Sequence, residues 1–285
     1  EFAGHITFLP NCLLEKKLMK ESIEILTDFI EFEGLPGIQL ASKFPIFPSL
    51  VQIAKCTIND RKSSTFEIDK SIDTNKLIVC MSKLYVFYPN AKDLVPFFNN
   101  QYLTSFTVFH LRSENPLAPL VLFTLMLKLS DAGMITLFLK CNWISITECL
   151  IQSSSEDVRI WTLLLVSSFA RYIVLIDQIL QLIDAISNAV DDSSPQVRVA
   201  FLVALQSIPL GNSTQIESSV LELALKLIND MSPAVRRELA SLLVSMKTLQ
   251  KATSFDNKVT FNDRMPSSNS MSTTDFFSES GSDAN

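Results

Sequence analysis

Along most of this chain apolar residues return every three or four positions, the spacing that places them on one face of an α-helix. Leu14, Leu18, Ile25, Phe29 and Phe32 predict a helix over residues 11–32 that stops near Gly34, with Pro36-Gly37 marking a turn. Short helices follow at 38–43 and at about 48–57. Residues 57–75 break the pattern with Asn59-Asp60-Arg61-Lys62 and Ser63-Ser64-Thr65, and predict an exposed loop. Helix resumes over 76–88, stopped by Pro89, and again over 91–100. Residues 101–111 suit a helix face through Tyr102, Phe106 and Phe109, although their β-branched content also suits a strand. Residues 116–130 are apolar around most of the circumference, which predicts an inner helix covered on several sides. Helices at 132–140, 142–152, 157–172, 175–190, 195–208, 215–229 and 233–249 complete the series. From Lys251 to Asn285 the chain turns to Ser, Thr, Asn and Asp, and buries too little apolar surface to offset its ordering entropy; a disordered tail is expected there.

A second, longer pattern overlies the first. Ser155-Glu156-Asp157-Val158-Arg159, Ser194-Pro195-Gln196-Val197-Arg198 and Ser232-Pro233-Ala234-Val235-Arg236 are variants of one phrase, with Val158 and Val197 separated by 39 residues and Val197 and Val235 by 38. One phrase returning at a helix start with a period near 40 marks a two-helix repeat that stacks into a solenoid. The junctions have a local logic. Ser194 and Ser232 can cap a helix, and Pro195 and Pro233 fall at its first position, where a missing N–H costs nothing. Val197, Phe201, Ala204 and Ile208 are expected to form one buried face and Leu221, Ala224, Leu225 and Ile228 the facing one. Ala200, Ala204, Ala224 and Ala240 would let helices approach closely. The fold class is therefore all-α, a solenoid of stacked helix pairs over 1–250, most regular over 153–249, with a tail over 251–285.

Composition narrows the function. With 47% hydrophobic residues the chain can bury a large core, and six glycines leave little for phosphate-cradling loops. A net charge of −6 without a basic stripe argues against nucleic acid. The apolar runs at 117–129 and 160–170 are too short to span a bilayer, and no secretory leader opens the chain; a soluble protein is expected, and Glu1-Phe2 reads as the middle of something longer. Cys12, Cys56, Cys80, Cys141 and Cys149 fit neither a zinc site nor a disulfide framework, and buried thiols in a reducing cytoplasm are expected. The two histidines, His5 and His110, bring no base to a nucleophile, and no nucleotide, hydrolase or metalloprotease motif is present. Asp191-Asp192 belongs to a repeat turn, and Trp161 is expected in the packing between repeats. No catalytic residue, cofactor or metal site is expected.

Asp192-x-x-x-x-Val197-Arg198 and Asp230-x-x-x-x-Val235-Arg236 resemble the HEAT-repeat signature, in which the Asp closes the turn and the Arg opens the second helix. The resemblance implies a ladder of Asp–Arg contacts between repeats, with a rung in question at the first unit, where Ser153 replaces the Asp. Including Pro195, Pro233, Val158 and Arg159, these positions form the repeat signature of a HEAT/armadillo-like array. The run from Leu225 to Leu239 resembles the corresponding repeat of the Raptor family, the scaffold subunits of TOR complex one. Glu24-Ile25-Leu26-Thr27-Asp28-Phe29, Gly37-Ile38-Gln39-Leu40-Ala41, Ile46-Phe47-Pro48 and Asn90-Ala91-Lys92-Asp93-Leu94-Val95 follow in the family's order. The resemblance covers about residues 8–246. It implies a non-catalytic scaffold that docks TOR kinase, recruits TOR substrates and Rag-type small GTPases, and works in the cytoplasm or at the lysosomal or vacuolar surface. It also implies a caspase-like domain before this segment and a WD-repeat propeller after it. The alternative is another HEAT scaffold, importin-like or a phosphatase regulatory subunit, which would carry regular repeats throughout. Phe66-Glu67-Ile68-Asp69 in the polar loop resembles the short signalling motif of TOR substrates, with Lys70 in place of an apolar fifth residue; an ordinary loop is the other reading.

Overall fold

The computed structural model of the chain describes residues 6–58, 71–94, 107–129, 135, 138–210 and 213–262. The centre of the 57–75 loop, residues 95–106 of two expected helices, most of 130–137 and the tail from 263 lie outside the described residues. Two compact units are distinguished, Glu1–Leu242 and Leu243–Asn285.

The main helices of the first unit are α1 (Met19–Ala41), α2 (Ile46–Ile58), α3 (Thr74–Tyr85), α4 (Leu117–Leu129) and α5 (Trp143–Ile151). They continue as α6 (Glu156–Phe169), α7 (Ile176–Ile186), α8 (Pro195–Gln206), α9 (Thr214–Leu225) and the first turns of α10 (Pro233–Asn262). No strand occurs among the described residues. Two rows of helices emerge from the packing. In one, α1 lies against α3, α3 against α4, α4 against α6 and α6 against α8. In the other, α5 lies against α7 and α7 against α9. The first row reaches well beyond the segment where the repeat phrase is legible, back to α1.

Position in the row explains composition. Helix α4 has row neighbours on both sides, and Leu120, Leu122, Phe123, Thr124, Met126 and Leu127 are all buried. Thr124 satisfies its hydroxyl by donating to the Leu120 carbonyl at 2.8 Å, so a polar group survives in that setting. Helix α7 lies in the second row and is amphipathic, with Ile179, Leu182, Ile183 and Ile186 buried and Asp177, Gln181 and Asp184 exposed. Aromatic rings tie α4, α5 and α6 together. Phe123 meets Phe138 edge-on at 4.8 Å between centroids, Phe138 meets Phe169 at 4.9 Å, and Phe169 meets Trp143 at 5.2 Å.

The break expected at Gly34 is present, in a different form. Helical backbone stops at Gly34, with φ 60° and ψ −138°, and resumes at once, so Pro36 and Gly37 are helical. That region of backbone is open to glycine almost alone. Gly37 serves closeness: a Cβ there would sit 2.6 Å from the Glu33 Cβ. A Gly34→Ala variant should lose about 1–3 kcal/mol to backbone strain, although open space surrounds the site. Urea unfolding followed by circular dichroism would show it, with Gln39→Ala on the exposed surface of the resumed helix as the neutral control.

Several expectations need correction. Helix α1 begins at Met19, preceded by turns, and buries Met19, Ile23, Leu26, Phe29 and Ile30; Leu14, Leu18, Ile25 and Phe32 are exposed. The segment carries two apolar stripes, and α3 packs on the one the simple count did not choose. In α9 the buried stripe is Ile216, Val220 and Ala224, continued by Leu227, whereas Leu221, Leu225 and Ile228 face outward. Ala240 is also exposed. Helix α3 starts two residues early because Asp73 Oδ1 accepts from the N–H groups of Asn75 (2.9 Å) and Lys76 (3.4 Å). In the second unit the backbone of α10 is helical to Asn262.

Candidate functional site

The repeat-signature residues come together as a ladder. Val158, Val197 and Val235 point into the core and are buried. One residue further on, each Arg emerges at the turn between repeats. Arg159 donates from Nε and Nη2 to Oδ2 and Oδ1 of Asp192, at 2.7 and 3.1 Å. Arg198 repeats this geometry on Asp230 at 2.7 and 3.1 Å. Each pair is bidentate, the strongest arrangement open to these side chains. The remaining Nη1 of each Arg binds its own turn: Arg159 donates to the Ser153 and Ser154 carbonyls, Arg198 to the Asp192 carbonyl and Arg236 to the Asp230 and Met231 carbonyls. Each Asp also accepts from the backbone two residues on, Asp192 from Ser194 N–H at 2.9 Å and Asp230 from Ser232 N–H at 2.8 Å.

The rung therefore runs from the Arg of one repeat to the Asp of the next. This reverses the expectation for the first unit: Arg159 has a full rung although Ser153 replaces the Asp of its own repeat. The Arg with no carboxylate across from it among the described residues is Arg236. Ser153 keeps part of the Asp's local role, since its Oγ accepts from Ser155 N–H at 3.2 Å. Pro195 and Pro233 open α8 and α10 at their first positions. Ser194 caps α8 by accepting from Gln196 and Val197 N–H, and its hydroxyl donates to Glu156 Oε1 of the previous repeat at 2.7 Å. Gln206 Nε2 reaches Glu238 Oε1 at 2.8 Å, a further link between successive repeats.

The surroundings shift these acids. Burial alone would raise the Asp192 carboxyl, but the Arg159 hydrogen bonds, the Ser194 N–H and the charges of Arg159 and Arg198 outweigh it and hold the group below its usual value. Asp230 is lowered first by its hydrogen bonds from Arg198, against a smaller opposing effect of burial. These groups are committed to holding repeats together, which leaves the ladder no spare chemistry for a substrate.

Elsewhere the structure offers little reactivity among the described residues. No cluster of three or more His, Cys, Asp or Glu could hold a metal ion. The cysteines are thiols, and only Cys80 is buried; Cys149 is exposed and Cys12, Cys56 and Cys141 are half-buried, which corrects the expectation of core thiols throughout. Thr27 spends its proton on the Ile23 carbonyl at 2.7 Å, so the Cys80 thiol donates to Thr27 Oγ1 across 3.0 Å. Burial pushes that thiol up to about 11, so it stays protonated and inert near neutral pH. Burial likewise lowers His110. Trp161 is half-buried, consistent with packing. No helix of the described residues is long and apolar enough to cross a membrane. Phe66, Glu67, Ile68 and Asp69 lie outside the described residues.

Open apolar grooves mark the surface of the first unit. An open groove of about 460 Å³ runs beside α1 between Phe8, Leu18 and Ile25, and a second of about 480 Å³ continues it past Ile25 to Phe32. A third, of about 540 Å³, lies at the turns between repeats, walled by Val174, Ile176, Pro209 and Leu210.

No family model matches the chain, and no curated protein does. Solved structures do. An engineered protein superposes with a TM-score of 0.59 at 14% identity, over 85% of this chain and 98% of its own. A designed armadillo repeat protein in complex with the peptide (KR)4 gives 0.58 at 14% identity, over 84% and 98%. Computationally designed armadillo repeat proteins for modular peptide recognition give 0.58 at 16% identity, over 86% and 99%. At such identities the likeness concerns the fold alone. Among the described residues the chain is an all-helical armadillo-type repeat solenoid.

Proposed function

We propose that this chain is the helical-repeat segment of a Raptor-like scaffold, which docks TOR kinase and presents TOR substrates and Rag-type small GTPases to it. The observation that carries this reading is the ordered set of phrases from Glu24-Ile25-Leu26 through Asn90-Ala91-Lys92 to the run ending at Leu239. The architecture supports it. An importin-like or phosphatase-scaffold array would repeat evenly, whereas here the row from α1 to α3 to α4 advances by unequal steps: 55 residues from Met19 to Thr74, then 43 to Leu117, then 39 to Glu156. Regular spacing begins only there. A non-catalytic role fits a surface whose strongest polar groups are locked into the ladder.

Affinity purification of the full-length gene product, followed by mass spectrometry, tests the proposal. TOR kinase should be recovered. Recovery of importin cargo or a phosphatase catalytic subunit without TOR kinase would overturn the reading in favour of another HEAT scaffold.

A further inference from the structure

The outward stripe of α1 has an order of its own. Leu18, Glu21, Ile25, Asp28 and Phe32 are spaced alternately by three and four residues, so they form one line along the helix. Apolar and acidic residues alternate on it. Leu18 is 47% exposed, Ile25 53% and Phe32 89%. The two grooves beside α1 meet at Ile25 and Phe29, giving a continuous apolar channel edged by Glu21, Asp28 and Glu33. From Leu18 to Phe32 the line is about 21 Å long, or four helical turns.

Charge singles out this face. On the side of the same helix that faces α3, next to Glu21 and Asp28, Glu24 pairs with Lys76 of α3 at 3.8 Å and Glu31 with Lys83 at 3.7 Å. Among the described residues no cation pairs with Glu21, Asp28 or Glu33. The fold neutralises the acids that face its own neighbour and leaves those along the groove open. We infer that the α1 groove receives an amphipathic helix from a partner protein, with apolar residues at three-and-four spacing flanked by Lys or Arg. The apolar side chains fill the spaces between Leu18, Ile25 and Phe32, and the cations meet Glu21, Asp28 and Glu33. A second copy of this chain fits poorly, because stripe against stripe sets carboxylate against carboxylate. The inference builds on the scaffold reading only in assuming a protein partner. Its test uses no TOR component, so the two can fail separately.

The probe is a fluorescein-labelled, end-capped peptide of about 16 residues, Leu at helical face positions and Lys elsewhere, titrated with the whole chain by fluorescence anisotropy. Controls are a scramble of the same composition and a version with Glu for Lys. The helix-patterned Lys peptide should bind about tenfold or more tightly than either control, and weaken as salt rises from about 0.15 to about 0.5 M. Ile25→Asp and Phe32→Asp should each weaken it about tenfold. Glu21→Lys combined with Asp28→Lys should invert the preference to the Glu peptide. Circular dichroism melts confirm that these surface variants fold. Equal binding of the scramble, or affinity unmoved by the variants, would overturn the assignment. So would a dimer in sedimentation velocity that Phe32→Asp dissolves, since the groove would then belong to a second copy.

Discussion

Phe169→Ala is expected to destabilise the repeat unit more than any other single change considered, by about 4 kcal/mol. The ring is fully buried and sits at the end of α6, between Phe138 and Trp143. Truncation removes its transfer free energy and leaves a cavity among rings that cannot close on it, at about 3–5 kcal/mol for a buried Phe. It also removes two edge-on pairs, each worth roughly 0.5–1.5 kcal/mol beyond area, part of which is already counted in that range. Helix α6 touches α4, α5 and α8, so the loss falls at the junction of the two rows. Denaturant unfolding by circular dichroism and by tryptophan fluorescence would report it, because Trp143 is itself in the cluster. Repeat arrays need not unfold in one step, and the two probes should separate in the variant as the array divides near α6. Phe32→Ala, at an exposed ring, should stay within about 0.5 kcal/mol of wild type. If Phe169→Ala did the same, the cluster would not be the core described here.

Asp192→Ala comes second. Its carboxylate receives two hydrogen bonds from Arg159 and one from Ser194 N–H, and the Asp192 and Arg159 side chains are 10% and 15% exposed. Removing one partner from a buried ion pair costs about 3–5 kcal/mol; at the rim, where water can re-solvate Arg159, about 2 kcal/mol is expected. Asp192→Asn keeps the shape and should lose less. The pH dependence gives an independent check. Asp192 and Asp230 are both held below the ordinary aspartate value by their Arg hydrogen bonds, so deprotonation is favoured more in the folded than in the unfolded chain. Their contribution is then fully present above the unfolded value and is lost as pH falls through the lower folded values. Stability measured from pH 7 down to about 2 should fall more steeply for wild type than for the Asp192→Asn, Asp230→Asn pair, the curves converging at the acid end. Parallel curves would mean that the rungs do not form in solution.

The two predictions rest on features of different legibility. Val158, Val197 and Val235 announce the repeat, and Ser194-Pro195 announces a helix start; both signals are local, and both elements stand where the residues place them. Phe169 carries no mark in the sequence that separates it from exposed Phe32, since its partners Phe138 and Trp143 belong to other elements. The α1 groove was missed for a related reason. A stripe of Leu18, Ile25 and Phe32 reads as core whenever helical spacing is the only criterion. The signal that could have warned against it is the acid at each intervening position, Glu21 and Asp28, which is unusual on a face meant for burial.

By itself the sequence determined the helical class, the 38–39-residue period, the cap at Ser194 and the break at Gly34. Each depends on residues within a turn or two of one another, where backbone geometry and short-range hydrogen bonding decide the outcome. Only the tertiary structure decided the rest: that Arg159 and Arg198 reach forward to the Asp of the next repeat, 33 and 32 residues on; that the first row extends back to α1; and which stripe of α1 that row covers. These are choices among partners far apart in the chain. Local propensity is equal for either stripe, and burial against α3 breaks the tie.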